Sequence, residues 1–161
     1  MNKCLFIGID SGFSGGIATI DVAGNVAAIK CPKTADDMND TLYELTYNWN
    51  PLNIYIYIEN VGTMSSNNSS LSFKFGYNYG IWKGILSSMQ INLSEVTPFV
   101  WQKHYGIPKQ HKNKQELTKK ERKRWLKKKA DTLFPQINVT FNVSDALLIA
   151  NYCKHVEGGN K

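Results

Sequence analysis

Apolar residues along the chain follow two patterns, short continuous runs and longer stretches with helical spacing. The continuous runs are rich in β-branched and aromatic residues, which is typical of buried strands. They predict five strands, over 4–9, 17–21, 25–30, 53–59 and 91–96. Short turn clusters containing glycine separate the first three runs, so these strands are predicted to pair antiparallel.

The stretches with helical spacing predict five helices, one that begins at Thr34 and others over 71–89, 99–105, 116–134 and 143–156. Thr34 is a candidate N-cap, because acidic residues follow it in the first turn. Three strands followed by alternating helices and strands predict an α/β fold. Its mixed central sheet has three antiparallel strands and then parallel strands, with helices on both sides. The length predicts a single domain over 1–161, since domains commonly have about 100–200 residues.

The predicted helix over 71–89 contains glycine at every fourth position, at Gly76, Gly80 and Gly84. Residues with this spacing lie on one face of a helix. Each glycine costs about 1 kcal/mol relative to alanine, so something must approach this face closely to compensate. We favour close packing inside the domain over packing against a partner subunit.

The charge of the chain is concentrated in one segment. The 161 residues have a net charge of +6, with 42% hydrophobic and 20% charged residues, which excludes a disordered, collagen-like or coiled-coil chain. From Lys109 to Lys129 eleven basic residues are opposed by two acids, so this segment carries +9 and the rest of the chain −3. Such a block indicates a polyanionic partner, nucleic acid first and an acidic membrane second. The alternative is a solvated helix face that only keeps the protein soluble.

No targeting or membrane-spanning segment is predicted. The apolar run over 4–9 is too short for a signal peptide, and no apolar stretch approaches the roughly 18–20 residues that cross a bilayer. Cys4, Cys31 and Cys153 are far apart and form no CxxC pair. We therefore expect buried thiols in a reducing cytoplasm rather than a disulfide framework or a zinc site.

Two acidic residues end apolar strands, Asp10 after the first run and Glu59 in the fourth. Burying an unpaired carboxylate is costly, so core packing does not explain them, and they would share one cleft if the two strands are neighbours. Asp145 is a third isolated acid, although the helix dipole alone explains an acid in the first turn of a helix. Converging carboxylates without His or Cys suit Mg²⁺ or Mn²⁺, and two such ions can clamp a phosphodiester during hydrolysis.

A carboxylate–metal centre in an acidic body beside a basic segment is what a nuclease needs, because the basic residues attract the DNA that the acids would repel. Five segments also resemble the successive motifs of RuvC-type Holliday junction resolvases, with the greatest likeness to the bacteriophage branch. The resemblance spans nearly the whole chain in the family's order. The segments are Ile7–Gly12, Ile56–Val61, Phe75–Gly84, Val96–Lys103 and Ser144–Ala150.

The resemblance implies an RNase H-like fold and a homodimer that nicks four-way DNA junctions symmetrically. It also implies Mg²⁺-dependent hydrolysis that leaves 5′-phosphates and 3′-hydroxyls. We expect neither a membrane partner nor an organic cofactor. Carried over by position, Asp10, Glu59 and Asp145 are ligands of two Mg²⁺ ions per active site, for which Mn²⁺ can substitute.

The chain departs from the family pattern at two places. The family has an acid or a histidine three positions before the last Asp, where this chain has Asn142. Asn142 is either a weaker, uncharged ligand or an inactivating replacement. Relatives often place an aromatic wedge shortly after the glutamate, but residues 60–62 contain none, so Met64 or Phe73 is the candidate for that role.

The basic segment is predicted to hold junction arms by their phosphates, which recognises shape with little base readout. A catalytic lysine is also expected near the start of the basic helix, and we favour Lys123 over Lys119 and Lys120. The predicted DNA-binding residues are Lys109, Lys112, Lys114, Lys119, Lys120, Arg122, Lys123, Arg124 and Lys127.

Two other functions stay open at this point. One is a less selective RNase H-like nuclease that acts on flaps, replication forks or RNA–DNA hybrids. The other is a junction-binding module that does not cleave, which Asn142 motivates. An actin-like nucleotide-binding protein is disfavoured, because 161 residues are too few for both lobes of that fold.

Overall fold

Five strands form one mixed sheet in the described residues, which are 3–60, 69–107 and 117–159 of a computed structural model. The strands are β1 (Leu5–Ile9), β2 (Gly16–Asp21), β3 (Val26–Lys30), β4 (Ile54–Glu59) and β5 (Asn92–Val96). The helices are α1 (Ala35–Thr46), α2 (Ser69–Ser88), α3 (Pro98–His104), α4 (Lys119–Leu133) and α5 (Ser144–Gly158), and a short 3₁₀ helix over Pro51–Asn53 precedes β4.

The central strand β1 has one neighbour of each orientation, and the sheet order is β3-β2-β1-β4-β5. β2 pairs with β1 antiparallel, β4 pairs with it parallel, and β3 and β5 extend the two sides in the same senses. The predicted mixed sheet is therefore confirmed. Ile9 pairs with Ile58. Asp10 and Glu59 are the next residues along the chain, so they lie next to each other at the same end of the sheet.

Helices cover both faces of the sheet, and alternate residues of β1 point into two separate cores. Ile7 and Ile9 lie in a core that α1 and α2 complete with residues such as Met38 and Trp82. Phe6 points the opposite way, into a core completed by α3, α4 and α5. All three cysteines are buried in these cores, as predicted.

The helix α5 lies directly on β1 because Gly8 has no side chain. A Cβ atom at Gly8 would collide with the carbonyl oxygen of Ala146 and with the backbone nitrogen of Ala150. The contact fixes the first turn of α5, which carries Asp145, relative to the end of β1. The position of one predicted site residue thus depends on a glycine in a different element.

The basic helix is shorter at its start than the sequence pattern predicts. α4 begins at Lys119 rather than at 116, because Thr118 caps it. The Thr118 Oγ1 accepts a hydrogen bond from the backbone N–H of Glu121 at 3.2 Å, and the Glu121 carboxylate accepts one from the Thr118 N–H at 2.7 Å. This capping box satisfies two backbone donors, so the helix has no need of an earlier turn.

We predicted that the glycine stripe of α2 packs closely inside the domain, and within the described residues this prediction is wrong. A Cβ atom at Gly76, Gly80 or Gly84 would meet no atom of those residues within 4 Å. The stripe therefore faces outward and is not used for close packing inside this part of the chain. Within the residues that the structure describes, none of the helices has the length and apolarity to cross a bilayer.

Candidate active site

The carboxylate of Asp10 is enclosed by the turn that joins β1 to β2. The backbone N–H of Gly12 donates to its Oδ1 at 3.0 Å, and the N–H of Gly15 closes the turn on the Gly12 carbonyl at 2.8 Å. A Cβ atom at Gly15 would lie 2.6 Å from the Asp10 Cγ. Glycine at this position therefore lets the backbone wrap around the carboxyl group.

Glu59 ends β4 beside Asp10 and is only 7% exposed. Its Oε1 accepts a hydrogen bond from the indole Nε1–H of Trp101 at 2.8 Å. Trp101 is fully buried in α3, the helix that follows the neighbouring strand β5. The indole donor therefore satisfies one oxygen of a carboxylate that is otherwise costly to bury.

Two hydrogen bonds link α2, the turn after β1 and the end of β4 in series. The Asn78 Nδ2 donates to the carbonyl oxygen of Ser11 at 2.5 Å, and the Ser11 Oγ donates to the carbonyl oxygen of Glu59 at 3.4 Å. Both Asn78 and Ser11 are buried. Ser11 thus joins the turn around Asp10 to the end of β4, and Asn78 of α2 binds the same turn.

Asp145 lies in the first turn of α5, where the Ser144 hydroxyl contacts its Oδ1 at 3.1 Å. Its carboxylate interacts electrostatically with both Asp10 and Glu59. The structure therefore brings the three predicted carboxylates together at one end of β1, β4 and α5. This arrangement gives Asp145 neighbours that the helix dipole alone does not explain.

Burial raises the pKa of all three carboxyl groups. For Glu59, burial and the charge of Asp10 outweigh the hydrogen bond from Trp101. For Asp145, burial and the charge of Asp10 raise the pKa to about 6. For Asp10, burial outweighs the hydrogen bond from Gly12 that favours the charged form, so its pKa is also raised. A nearby cation would reverse these effects, because it stabilises the ionised carboxylates.

Lys123 supplies positive charge to all three carboxylates, and its charge opposes the rise in their pKa values. It lines a cavity of about 350 Å³ together with Asp145. Lys119 and Arg122 line the same cavity, and the Arg122 Nη1 contacts the Gln102 Oε1 at 3.4 Å. The first half of α4 thus forms one wall of the space beside Asp145.

The remaining predicted DNA-binding residues divide into two groups. Lys120 and Arg124 are exposed on α4, whereas Lys127 is half-buried and forms an ion pair with Asp131 at 2.8 Å. Lys109, Lys112 and Lys114 lie outside the described residues.

Of the two candidates for the junction wedge, only Phe73 lies in the described residues. Met64 lies outside the described residues. Phe73 is 72% exposed on α2, where its ring stacks on Tyr77 with a centroid distance of 6.2 Å. Phe73 therefore has the exposure that a wedge requires.

The side chain of Asn142 joins the loop before α5 to the turn around Asp10. Its Nδ2 donates a hydrogen bond to the carbonyl oxygen of Ser14 at 2.7 Å. A carboxylate at this position lacks the N–H donor and would put its oxygens beside the carbonyl of Ser14. The amide therefore has a structural partner here that an aspartate could not keep.

The three carboxylates provide the hard oxygen donors that Mg²⁺ and Mn²⁺ prefer, and their raised pKa values are what a bound cation would relieve. In chemical terms the residues fit a divalent cation. In the described residues, however, no three His, Cys, Asp or Glu side chains are arranged closely enough to hold a metal ion as they stand. Cation binding would therefore require these side chains to adjust.

Comparisons with known proteins identify the fold. No family model matches the chain, and no curated protein matches its sequence. The structure of Thermus thermophilus RuvC in complex with a Holliday junction substrate is similar, with a TM-score of 0.60, 13% sequence identity and 96% of each chain covered. A second T. thermophilus RuvC structure has a TM-score of 0.52, 14% identity and the same coverage. The fold is RuvC-like. The predicted fold class is therefore confirmed.

Sequence reasoning missed three residues that shape the site of this RuvC-like fold. Trp101 and Gly8 stand in the segments that carry the resemblance, but nothing in their local pattern indicates a hydrogen bond to Glu59 or a contact with α5. Asn78 also stands in such a segment, but in the middle of a helix, where a polar residue is ordinarily solvent-exposed. Each contact arises only when distant segments pack, so no local signal could have found it.

Proposed function

We propose that the protein is a DNA endonuclease that resolves four-way junctions by paired nicks and depends on divalent cations, two Mg²⁺ per active site, for which Mn²⁺ can substitute. One observation carries the proposal: the carboxylates of Asp10, Glu59 and Asp145 interact electrostatically with one another and with Lys123 of a basic helix, which lines a cavity together with Asp145. The RuvC-like fold supports it, since one similar structure is that of a RuvC with a Holliday junction substrate. The proposed place of action is the cytoplasm, and membership of the bacteriophage branch stays a prediction.

The proposed roles follow from the position of each side chain. Asp10, Glu59 and Asp145 would hold the cations, and Trp101 would orient the Glu59 carboxylate through its hydrogen bond. When bound, such ions activate an attacking water and stabilise the departing 3′-oxygen. Lys123 lies near the carboxylates and would stabilise the negative charge that builds up on the phosphate.

DNA would be held mainly by the exposed surface of α4. Its basic residues would contact backbone phosphates, which binds DNA through shape and counterion release rather than base identity. Arg122 belongs to this helix and also lines the cavity next to Asp145. A strand bound along α4 would therefore pass the carboxylates.

Paired nicks require two centres, which a homodimer would supply. The outward face of α2 supports this part of the proposal, because it carries the exposed rings of Phe73 and Tyr77 next to the glycine stripe. Apolar and small residues on one exposed face permit close helix approach. Asn78 connects the same helix to the edge of the active site, so that two sites would be fixed relative to each other.

A non-cleaving junction-binding module is the second candidate, and Asn142 is the observation that favours it. Its amide replaces a charged or histidine ligand of the family and is engaged by the Ser14 carbonyl. Such a module would keep the basic α4 surface and bind junctions in a salt-sensitive way. It would show no cation-dependent turnover.

The test is cleavage of a synthetic four-way junction by the full chain with Mg²⁺, compared with flap, fork and RNA–DNA hybrid substrates. Asp10→Asn serves as the inactive control, because it removes one charge and keeps the side-chain size. Asn142→Asp and Asn142→His are assayed in parallel. The histidine variant is included because an imidazole N–H can replace the donor to Ser14, whereas a carboxylate cannot.

Paired symmetric nicks in the junction, lost in Asp10→Asn, would support the proposal. Comparable cleavage of flaps, forks or hybrids would support the less selective nuclease instead. Tight junction binding without cleavage in the wild type and in both Asn142 variants would exclude the enzyme and favour the binding module.

A further inference from the structure

Two exposed phenylalanines flank the hydrogen bond between Asn142 and Ser14. Phe13 directly precedes Ser14 and is 67% exposed, and Phe141 directly precedes Asn142 and is 49% exposed. The hydrogen bond is 2.7 Å long. A Cβ atom at Gly16 would lie 2.7 Å from the carbonyl oxygen of Asn142, so the two loops also touch through their backbones. The phenylalanines thus belong to two loops that are held together at one edge of the candidate active site.

Phe13 lies at the tip of the turn that encloses the Asp10 carboxylate. The turn is closed by the hydrogen bond from Gly15 to Gly12, which leaves Phe13 and Ser14 as its central residues. Polar residues and glycine are usual at such positions, and a phenylalanine adds nothing to the turn itself. Single exposed apolar residues are common on protein surfaces. This one differs because its neighbour Gly12 donates directly to Asp10.

Phe141 has a cation next to its ring. The Lys127 Nζ lies 6.0 Å from the ring centroid, and its ion pair with Asp131 keeps the ammonium group in place. Lys127 belongs to α4, the helix proposed to hold DNA phosphates. Sites for single-stranded nucleic acid combine these two features, with bases stacked on aromatic rings and phosphates facing cations.

We propose that Phe13 and Phe141 form a nucleobase-stacking site that receives unpaired bases next to the phosphate entering the carboxylate site. The occupant follows from the surroundings, because Phe13 lies in the turn that holds the Asp10 carboxylate and Phe141 lies beside Lys127 of the basic α4. The inference rests on the proposed function in that the ligand is a DNA strand held by α4. It adds base contacts where shape recognition with little base readout was predicted, and it involves residues other than the wedge candidate Phe73.

The experiment measures binding without cleavage, in EDTA, by fluorescence anisotropy. The probes are a short oligo(dT) and an oligomer of equal length built of abasic sites, which has the same phosphates but no bases. Phe13→Leu and Phe141→Leu keep apolar volume and lose the aromatic face, whereas Phe13→Trp keeps it. Tyr43→Leu is the matched control, because Tyr43 is an equally exposed aromatic residue on α1, which packs on the other face of the sheet. Thermal unfolding confirms that each variant is folded.

Each leucine variant is expected to weaken oligo(dT) binding by about fivefold or more, with little change for the abasic oligomer, Phe13→Trp or Tyr43→Leu. Equal losses on both oligomers, no loss on either, or no oligo(dT) binding by the wild type would overturn the inference. In a protein that cleaves no substrate, leucine variants that lose oligo(dT) binding but keep binding of the abasic oligomer would support the stacking site and contradict the proposed function. Cleavage of the junction by a protein whose leucine variants bind oligo(dT) as the wild type does would support the proposed function and overturn the stacking site.

Discussion

The carboxylate of Glu59 is surrounded by groups that act on its charge in opposite directions. Burial and the carboxylates of Asp10 and Asp145 favour its neutral form, while Trp101 and Lys123 favour the ionised form. Without a cation the first group prevails and the pKa is raised. The folded chain therefore stores unfavourable electrostatic energy at this point, which cation binding would release.

This stored energy predicts that the cation-free protein loses stability as the pH rises. The carboxyl group of Asp145 has a pKa near 3.8 in the unfolded chain and about 6 in the folded protein. Between these values the unfolded state has lost a proton that the folded state keeps, so stability falls from about pH 4 to about pH 7. The loss from Asp145 is of the order of 2–3 kcal/mol, and Asp10 and Glu59 act in the same direction.

Thermal unfolding in EDTA between pH 5 and pH 8 measures the effect. Asp145→Asn is expected to make the decline of Tm with pH shallower, and Mg²⁺ is expected to raise the wild-type Tm most at pH 8. Asp40→Asn, on the exposed surface of α1, is the matched control and should retain the wild-type slope. A wild-type Tm that rises steadily over this range would contradict the prediction.

Sequence patterns pointed to some of these residues and not to others, for physical reasons. Asp10 and Glu59 stood out because an acid after an apolar strand has no packing role. Asp145 was ambiguous, since the first turn of any helix favours an acid. Trp101 in α3 could not be assigned a role, because its hydrogen bond to Glu59 depends on how α3 packs beside β4.

At the scale of elements, glycine has opposite roles in β1 and α2. Gly8 is needed because the backbone of α5 occupies the space of a side chain. The glycines of α2 have no such neighbour among the described residues, where a Cβ atom at Gly84 would meet nothing within 4 Å. The same residue type therefore marks a close contact in one element and an open surface in the other.

Alanine substitutions at these two kinds of glycine should have opposite effects on stability. Gly8→Ala is expected to cost about 1–3 kcal/mol, because α5 must move away from β1. It should also reduce cleavage, since Asp145 moves with α5. For the monomer, Gly84→Ala should be neutral or stabilise by up to about 1 kcal/mol, because alanine favours the helix. In the proposed homodimer the added methyl group would instead hinder close approach of a second α2. Chemical denaturation measures both, and equal effects would contradict the packing described for α5.

The boundaries of elements could be predicted where the signal is local. Thr118 followed by Glu121 is a capping-box pattern that the sequence displays, so the start of α4 at Lys119 was accessible without a structure. The outward orientation of the glycine stripe was not accessible in this way. It depends on which face of α2 the apolar residues around Trp82 turn toward the sheet.

At the scale of the whole molecule, the structure separates charge of opposite sign over a short distance. The three carboxylates lie at one end of the sheet, where Glu59 is buried and Asp10 and Asp145 are half-buried. The basic residues of α4 form a wall of the cavity beside Asp145. The separation was visible in the sequence as a basic segment in an otherwise acidic chain. The charge count could not show that Asp145 and the basic residues of α4 line the same cavity.

The α4 surface should make DNA binding strongly dependent on salt. Lys120→Ala and Arg124→Ala remove exposed charges that do not line the cavity with Asp145. A plot of the logarithm of the binding constant against the logarithm of the salt concentration has a negative slope. Each variant is expected to make this slope shallower by about 0.9 for a duplex arm, if each residue neutralises one phosphate. Binding of a four-way junction in EDTA at several salt concentrations measures the slope. Lys33→Ala, before α1, is the control and should leave the slope unchanged.

The dependence of the site on α5 also has a consequence for biosynthesis. A nascent chain that has emerged as far as β5 already contains Asp10 and Glu59 but lacks Asp145. It also lacks the apolar residues of α5 that cover β1, such as Leu147 and Ala150. On the proposed function, a polypeptide whose translation stops early has no competent centre, so incomplete products of protein synthesis would not damage DNA.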